Sequence, residues 1–210
     1  MARFDSLDDW LRWQEACHPR QIDLGLDRVA SVYARLEAIT KKIPTITVAG
    51  TNGKGSSVAF LEAIYRAQGY RVGAYTSPHI LKYNERIRID GESLSDAEIC
   101  ASFERIDAAR GDTSLSYFEF GTLAALDNFS RTDVDVRILE VGLGGRLDAV
   151  NIIDPDVAIV TTIAIDHIDW LGHTEEAIGR EKAGLFRSAR PAVIGDANVP
   201  DSLIQAAQDI

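Results

Sequence analysis

Cysteine is scarce, with Cys17 and Cys100 alone. Neither a disulfide framework nor a cysteine metal site is suggested, and a reducing compartment fits. No apolar stretch approaches membrane-spanning length, and the first ten residues carry acids where a secretory signal needs a basic start and an apolar run. The expectation is a soluble, cytoplasmic protein without a membrane partner. Basic residues are outnumbered, 22 to 32, for a net charge of −10. That balance disfavours a nucleic-acid backbone as partner and leaves a mononucleotide open, because one lysine and backbone dipoles act locally. Internal repeats, low-complexity tracts and charged tails are also missing.

What remains is an alternation. Short β-branched runs at Thr45–Ala49, Arg71–Tyr75, Val134–Val141, Val157–Thr161 and Ala192–Gly195 read as strands. Helical periods at Ser57–Gln68, Asp96–Ala109, Phe118–Phe129 and Glu175–Phe186 separate most of them. The pattern predicts an α/β fold, a mostly parallel sheet flanked by helices on both faces. Ser95 with Glu98 reads as a capping box, and Gly69 as a helix C-terminal glycine. Leu26, Val29, Val32, Leu36 and Ile39 form a helical stripe, Trp10 and Trp13 belong to an earlier helix, and Asp201 to Ile210 open another amphipathic one. Ligands of such sheets bind beyond the carboxyl ends of the strands, where Gly50, Ser77, Gly142 and Asp166 fall.

The sharpest local signal is Gly50-Thr51-Asn52-Gly53-Lys54-Gly55-Ser56, between a strand and a helix. A strand that turns through glycines into a helix leaves backbone N–H groups facing a concavity, and the helix dipole adds partial positive charge where a polyphosphate would sit. Lys54 supplies the full charge. The usual nucleoside-triphosphate motif would place glycine at 48 and Ser or Thr directly after the lysine, where this chain has Val48 and Gly55. The motif fails as a pattern while its mechanism survives.

Other residues fall at the same sheet edge. Thr76-Ser77-Pro78-His79 exposes a hydroxyl and an imidazole, with a turn or capping role equally open. Glu140 ends an apolar strand, where burial is costly without a cation, so a metal or lysine partner is implied. Gly142, Gly144 and Gly145 let the backbone approach a ligand or simply form a loop. Asp166-His167 ends a further strand, and proximity to Lys54 and Glu140 favours function over packing for the imidazole. Ser77 and Glu140 suit hard Mg²⁺, a histidine is a tolerable addition, and zinc lacks its expected ligand set. The spacing in Gly179-Arg180-Glu181-Lys182-Ala183-Gly184 reads as charge pairing on a solvated helix face.

Taken together, Ile22-Asp23-Leu24-Gly25-Leu26, Val48 to Ser56, Thr76-Ser77-Pro78-His79, Ser116-Tyr117-Phe118-Glu119, Glu140 to Ala149 and Asp166-His167 resemble, in order and spacing, the folylpolyglutamate synthase and dihydrofolate synthase family, relatives of the Mur ligases. The folate-site motifs are similar to those of its bifunctional bacterial members. The resemblance implies a P-loop, Mur-ligase-type ATPase domain over residues 1–210. That domain would be incomplete, with a carboxy-terminal glutamate-binding domain outside this chain. It implies ATP at Thr51, Asn52, Gly53, Lys54, Gly55 and Ser56, and Mg²⁺ at Ser77, Glu140, His167 and a carbamylated Lys182, which reverses the solvated-face reading of that lysine. It implies catalytic roles for Lys54, Lys182 and His167. A pterin substrate would lie against Gln21, Ile22, Asp23, Leu24, Ser116, Tyr117, Phe118, Glu119, Leu147, Asp148 and Ala149, with Phe118 stacked on its ring and Asp148 accepting its N–H donors.

The implied activity is ATP-dependent ligation of L-glutamate to dihydropteroate and to the γ-glutamyl chain of tetrahydrofolates, through an acyl phosphate, by a monomer. A Mur-type ligase with another acid, a nucleotide-binding module without catalysis, and a simple kinase or hydrolase are the competing readings.

Overall fold

The computed structural model describes residues 3–20, 22–36 and 42–210. Seven strands, β1 (Thr45–Ala49), β2 (Val72–Tyr75), β3 (Ile87–Ile89), β4 (Glu92–Ser93), β5 (Val136–Glu140), β6 (Val157–Val160) and β7 (Ala192–Ile194), form one sheet. Its order is β4-β3-β2-β5-β1-β6-β7. The five strands from β2 to β7 in that order run parallel, while β3 and β4 pair antiparallel at one edge. The parallel α/β expectation holds. The antiparallel hairpin is an addition that the alternation of apolar runs did not indicate, because its strands are short and charged. Its turn, Asp90-Gly91, has φ of 54° and 81°, and an Asp-Gly pair is itself a hairpin signal.

The helices are α1 (Leu7–Cys17), α2 (Asp27–Tyr33), α3 (Lys54–Ala67), α4 (Asp96–Arg110), α5 (Tyr117–Arg131), α6 (Ile168–Leu171), α7 (Glu175–Ala183) and α8 (Asp201–Gln208). On one face of the sheet Val58 of α3 packs with Ile46, Val48, Val72, Ala74, Val136 and Ile138. The opposite face carries the larger core, where α1, α2, α4 and α5 contribute Trp10, Val29, Val32, Phe103, Phe120 and Phe129. Each such side chain contributes roughly 1.5–3 kcal/mol on burial. Every residue of α5 from Glu119 to Phe129 is buried, as expected of a helix with little polar face that fills the centre of a core.

The caps explain the boundaries. Ser95 and Glu98 form the expected capping box, and Gly69 takes φ 86° directly after α3. The helix after the glycine turn starts at Lys54 rather than Ser57, because Gly53 at φ 83° already serves as its N-cap. The cradle lysine is thus the first residue of a helix, where the dipole acts most strongly on an anion. Of the stripe expected before the first strand, Val29, Val32 and Leu36 are buried, and Ile39 lies outside the described residues.

β5 and β6 flank β1 on opposite sides and run parallel to it, so the loops that leave these three strands gather at one edge of the sheet. A crevice opens there, as it does where strand order switches in doubly wound sheets.

Candidate active site

The glycine turn after β1 is clamped to the segment that leaves β6. Thr51 N–H donates to Thr162 O (2.8 Å), Asn52 N–H to Thr162 Oγ1 (3.0 Å), and Thr161 Oγ1–H to Asn52 O (2.6 Å). Thr51 Oγ1 both accepts from Ala164 N–H and donates to Ala164 O. Gly50 has φ 144°, and a Cβ there would stand 1.8 Å from Thr161 Oγ1, so this turn admits only glycine. Lys54 Nζ donates to Gly50 O and Thr51 O, lying over its own loop.

Beside it lies a narrow polar cleft lined by Gly50, Thr51, Lys54, Gly142, Leu143, Gly144, Asp166, His167 and Lys182. Lys182 is only 4% exposed, which corrects the solvated-face reading of its helix. Burial, and then the charge of Lys54, lowers its pKa to about 8, so a useful fraction of the amine is neutral near physiological pH. Its neighbour Glu181 does make the surface pair, accepting from Arg146. The glycine loop docks on this helix: Arg146 N–H donates to Glu181 O, and a Cβ at Gly145 would meet Glu181 O at 2.8 Å and Lys182 Cα at 3.0 Å.

Glu140 is 4% exposed, and burial raises its pKa against the opposing effects of Ser77 N–H, Lys54 and Arg88. Its Oε2 accepts from Ser77 N–H (3.0 Å), and its carboxylate faces Gly55 at the start of α3. Lysine therefore reaches it as a field rather than as a contact pair. His167 sits at φ 48° as the N-cap of α6, and its main-chain N–H donates to Asp166 Oδ1. Among the described residues no three carboxylate, imidazole or thiol groups converge on one point. Ser77 and Glu140 meet directly, whereas His167 and Lys182 face the cleft with Lys54.

The second cavity, about 270 Å³, is lined by Ile22, Asp23, Leu24, Ser77, Pro78, Arg86, Ser116, Phe118, Glu119, Leu147, Asp148 and Ala149, and shares Gly142, Leu143 and His167 with the polar cleft. Phe118 lies against Gly142, where a Cβ would come within 2.6 Å of its ring. Asp148 is 2% exposed and accepts from Leu143 and Val150 N–H, and burial pushes its pKa up to about 6. Tyr117 faces a neighbouring hollow with Gln14, Glu15, His18 and Arg20, and Gln21 lies outside the described residues. Ser116 and Glu119 also form a capping box at the start of α5, a signature readable in the sequence.

Residues 48–209 match the Mur ligase middle domain. The chain belongs to the Mur ligase family. It is 54% identical over 203 residues to the dihydrofolate synthase/folylpolyglutamate synthase of Escherichia coli (strain K12), covering 97% of this chain and 48% of that protein. The protein of the same name from Haemophilus influenzae is 51% identical over 204 residues, covering 97% of this chain and 46% of its own. Among solved structures, E. coli FolC in complex with DHPP and ADP superposes with a TM-score of 0.95 at 53% identity, over 98% of this chain and 50% of that one. A bifunctional folylpolyglutamate synthase/dihydrofolate synthase with Mn, AMPPNP and L-glutamate bound gives 0.91 at 54%, again over 98% and 50%. The chain spans about half the length of the curated relatives it matches.

In this Mur ligase chain the residues that sequence reading missed are cations and their partners. Arg28 Nη1 lies 2.8 Å from Asp23 Oδ2 and its Nη2 3.2 Å from Glu119 Oε1, joining two stretches of the cavity wall. His18 Nε2 is 3.0 Å from Asp23 Oδ2. Burial would raise the pKa of Asp23, but His18 and Arg28 together hold it below its ordinary value. Arg86 lies over the rings of Tyr83 and Tyr117 and donates to His79 Nδ1. No local pattern marks these residues; they meet only when α2, α5 and the hairpin pack.

Proposed function

We propose that this chain forms the nucleotide- and acceptor-binding part of an ATP-dependent ligase that joins L-glutamate to dihydropteroate and to the γ-glutamyl chain of tetrahydrofolates. The observation that carries this reading is the wall common to the two clefts. Gly142, Leu143 and His167 line both, so a flat apolar acceptor in one can present a carboxylate to a phosphate in the other. The ligands in the relatives' structures, ADP, AMPPNP, DHPP and L-glutamate, support the same substrate classes.

In the proposed reaction an oxygen of the acceptor carboxylate attacks the terminal phosphorus of ATP and ADP leaves, giving an acyl phosphate. The glutamate amine then attacks the acyl carbon, phosphate departs, and the amine loses its proton to leave an amide. Carboxylate and triphosphate repel one another by roughly 1–4 kcal/mol at 4 Å across aqueous to surface-like dielectric. Lys54, at the positive end of α3, offsets that repulsion together with the N–H groups of residues 53–56. Phe118 offers its ring to a pterin, and ionised Asp148 accepts the pterin N–H donors.

Ser77 and Glu140 fit a hard divalent cation: hydroxyl and carboxylate are both oxygen donors, and the buried Glu140 carboxylate lies beside Ser77, accepting from its N–H. Mg²⁺ held there, with His167 and Lys182 as further ligands, would supply charge neutralisation at the phosphates. Lys182 suits its part because its neutral amine can attack CO₂, forming a nitrogen–carbon bond and losing a proton to become an anionic carbamate. The reading includes a monomeric, cytoplasmic protein.

The test is ADP release by protein containing this chain, at fixed ATP and Mg²⁺, with dihydropteroate plus glutamate, tetrahydrofolate plus glutamate, or no acceptor. Release with both acceptors is expected. Release independent of acceptor would point to a hydrolase, and release with neither to a binding module.

A further inference from the structure

We infer that Arg88 is a positioning residue that locks the loop carrying Ser77 onto the helix that begins with Lys54. The inference rests on the ligase reading above, in which Ser77 and Lys54 serve one bound nucleotide. Arg88 lies on β3, outside both clefts. Its Nε and Nη2 donate to Glu62 Oε2 at 3.1 and 2.9 Å. Its Nη1 donates to Thr76 Oγ1 at 3.1 Å and Glu85 O at 2.9 Å. One guanidinium therefore holds a helix with one edge and a loop with the other, a span that its rigid fork suits and a lysine ammonium does not.

Both ends of this bridge matter to the site. Lys54, Val58 and Glu62 recur every four residues, so they share the face of α3 turned to the sheet, and Glu62 is 6% exposed. The loop end begins at Thr76, next to Ser77, whose N–H donates to Glu140. At the loop's far side the Glu85 carboxylate accepts from the N–H groups of Ile80, Leu81 and Lys82. Ile80 and Leu81 are 89% and 86% exposed, so apolar packing does not hold this apex. A polar tether does that work instead. A buried pair such as Glu62–Arg88 adds little net stability over an apolar replacement, and its use lies in fixing geometry.

The test compares the unmodified chain with Arg88→Met, Arg88→Lys and Thr76→Val. ATP binding is titrated by calorimetry in EDTA and across a Mg²⁺ series, and amide hydrogen exchange is followed at residues 80–82. With Arg88→Met the Mg²⁺ concentration for half-maximal enhancement should rise roughly tenfold, as for loss of other groups that orient ligands, while affinity in EDTA changes by less than about twofold. Exchange at residues 80–82 should quicken. Arg88→Lys should restore part of the difference, and Thr76→Val, which cuts the loop side alone, should shift Mg²⁺ dependence in the same direction even if Arg88→Met fails to fold. Unchanged Mg²⁺ curves in the folded variants would overturn the role of Arg88 and leave the ligase reading standing. No ATP binding by the unmodified chain would sink both.

Discussion

The polar cleft is centred on one turn, Gly50 to Lys54, with Gly142 to Gly144, Asp166, His167 and Lys182 completing its walls. The cavity beside it is lined from five stretches, near residues 22–25, 77–86, 116–119 and 142–149 and at His167, mostly by side chains. The turn of the first follows from a local sequence and one helix terminus. The second exists only when α2, α5, the hairpin and the loop after β5 are all in place. A nucleotide cradle can thus be carried unchanged through a family while the distributed pocket is retuned for another acceptor.

The sharpest way to separate the two regions is Lys54→Ala. We expect a loss of turnover on the order of 10²–10³-fold, the usual effect of removing one preorganised electrostatic group, with little change in acceptor affinity or melting temperature. ADP-release kinetics and a thermal melt check both halves; normal turnover would remove Lys54 from the mechanism.

Next is Lys182, whose folded pKa of about 8 lies below the ordinary 10.5. Between those values the unfolded chain binds more protons than the folded one, so stability rises with pH across that window and is reduced below it. Lys182→Met should therefore raise stability at pH 7 by up to about 3 kcal/mol, narrowing toward pH 10.5, while abolishing any response to bicarbonate. Denaturant melts at pH 7 and 10 decide it. A destabilised variant at pH 7 would mean that the ammonium has a favourable partner in the folded protein.

Glu140→Gln keeps an acceptor for Ser77 N–H and removes the charge. The Mg²⁺ requirement should rise roughly tenfold. A magnesium titration matching that of the unmodified protein would make Glu140 structural. The smallest effect is expected from Phe118→Ala, which should weaken acceptor binding roughly fivefold through lost stacking and leave ATP binding unaltered. If ATP affinity fell as well, the two clefts would be mechanically one, and the comparison would fail.

Legibility in the sequence follows the same division. The strands around residues 45–49 and 157–160 and the capping box at Ser95 declare themselves through local periodicity and hydrogen-bonding residues. So does the glycine turn. The antiparallel edge escaped notice because strands of two or three residues have no period, although Asp90-Gly91 marks their turn. Lys182 misleads as well: on spacing alone it belongs to a solvated face, and only the docking of Gly145 and Arg146 on α7 buries it. Arg28 and Arg86 had no signal at all, since an arginine is set apart only by what the fold places around it.

The contact between Gly50 and Thr161 has a consequence for how this sequence can vary. An alanine Cβ at position 50 would meet the Thr161 hydroxyl at 1.8 Å, its Cβ at 3.0 Å and its backbone nitrogen at 3.1 Å. Trimming Thr161 to serine or alanine clears only part of that obstruction. Change at position 161 therefore cannot open position 50, and a mutational scan should show position 50 refusing every side chain in whatever background position 161 provides.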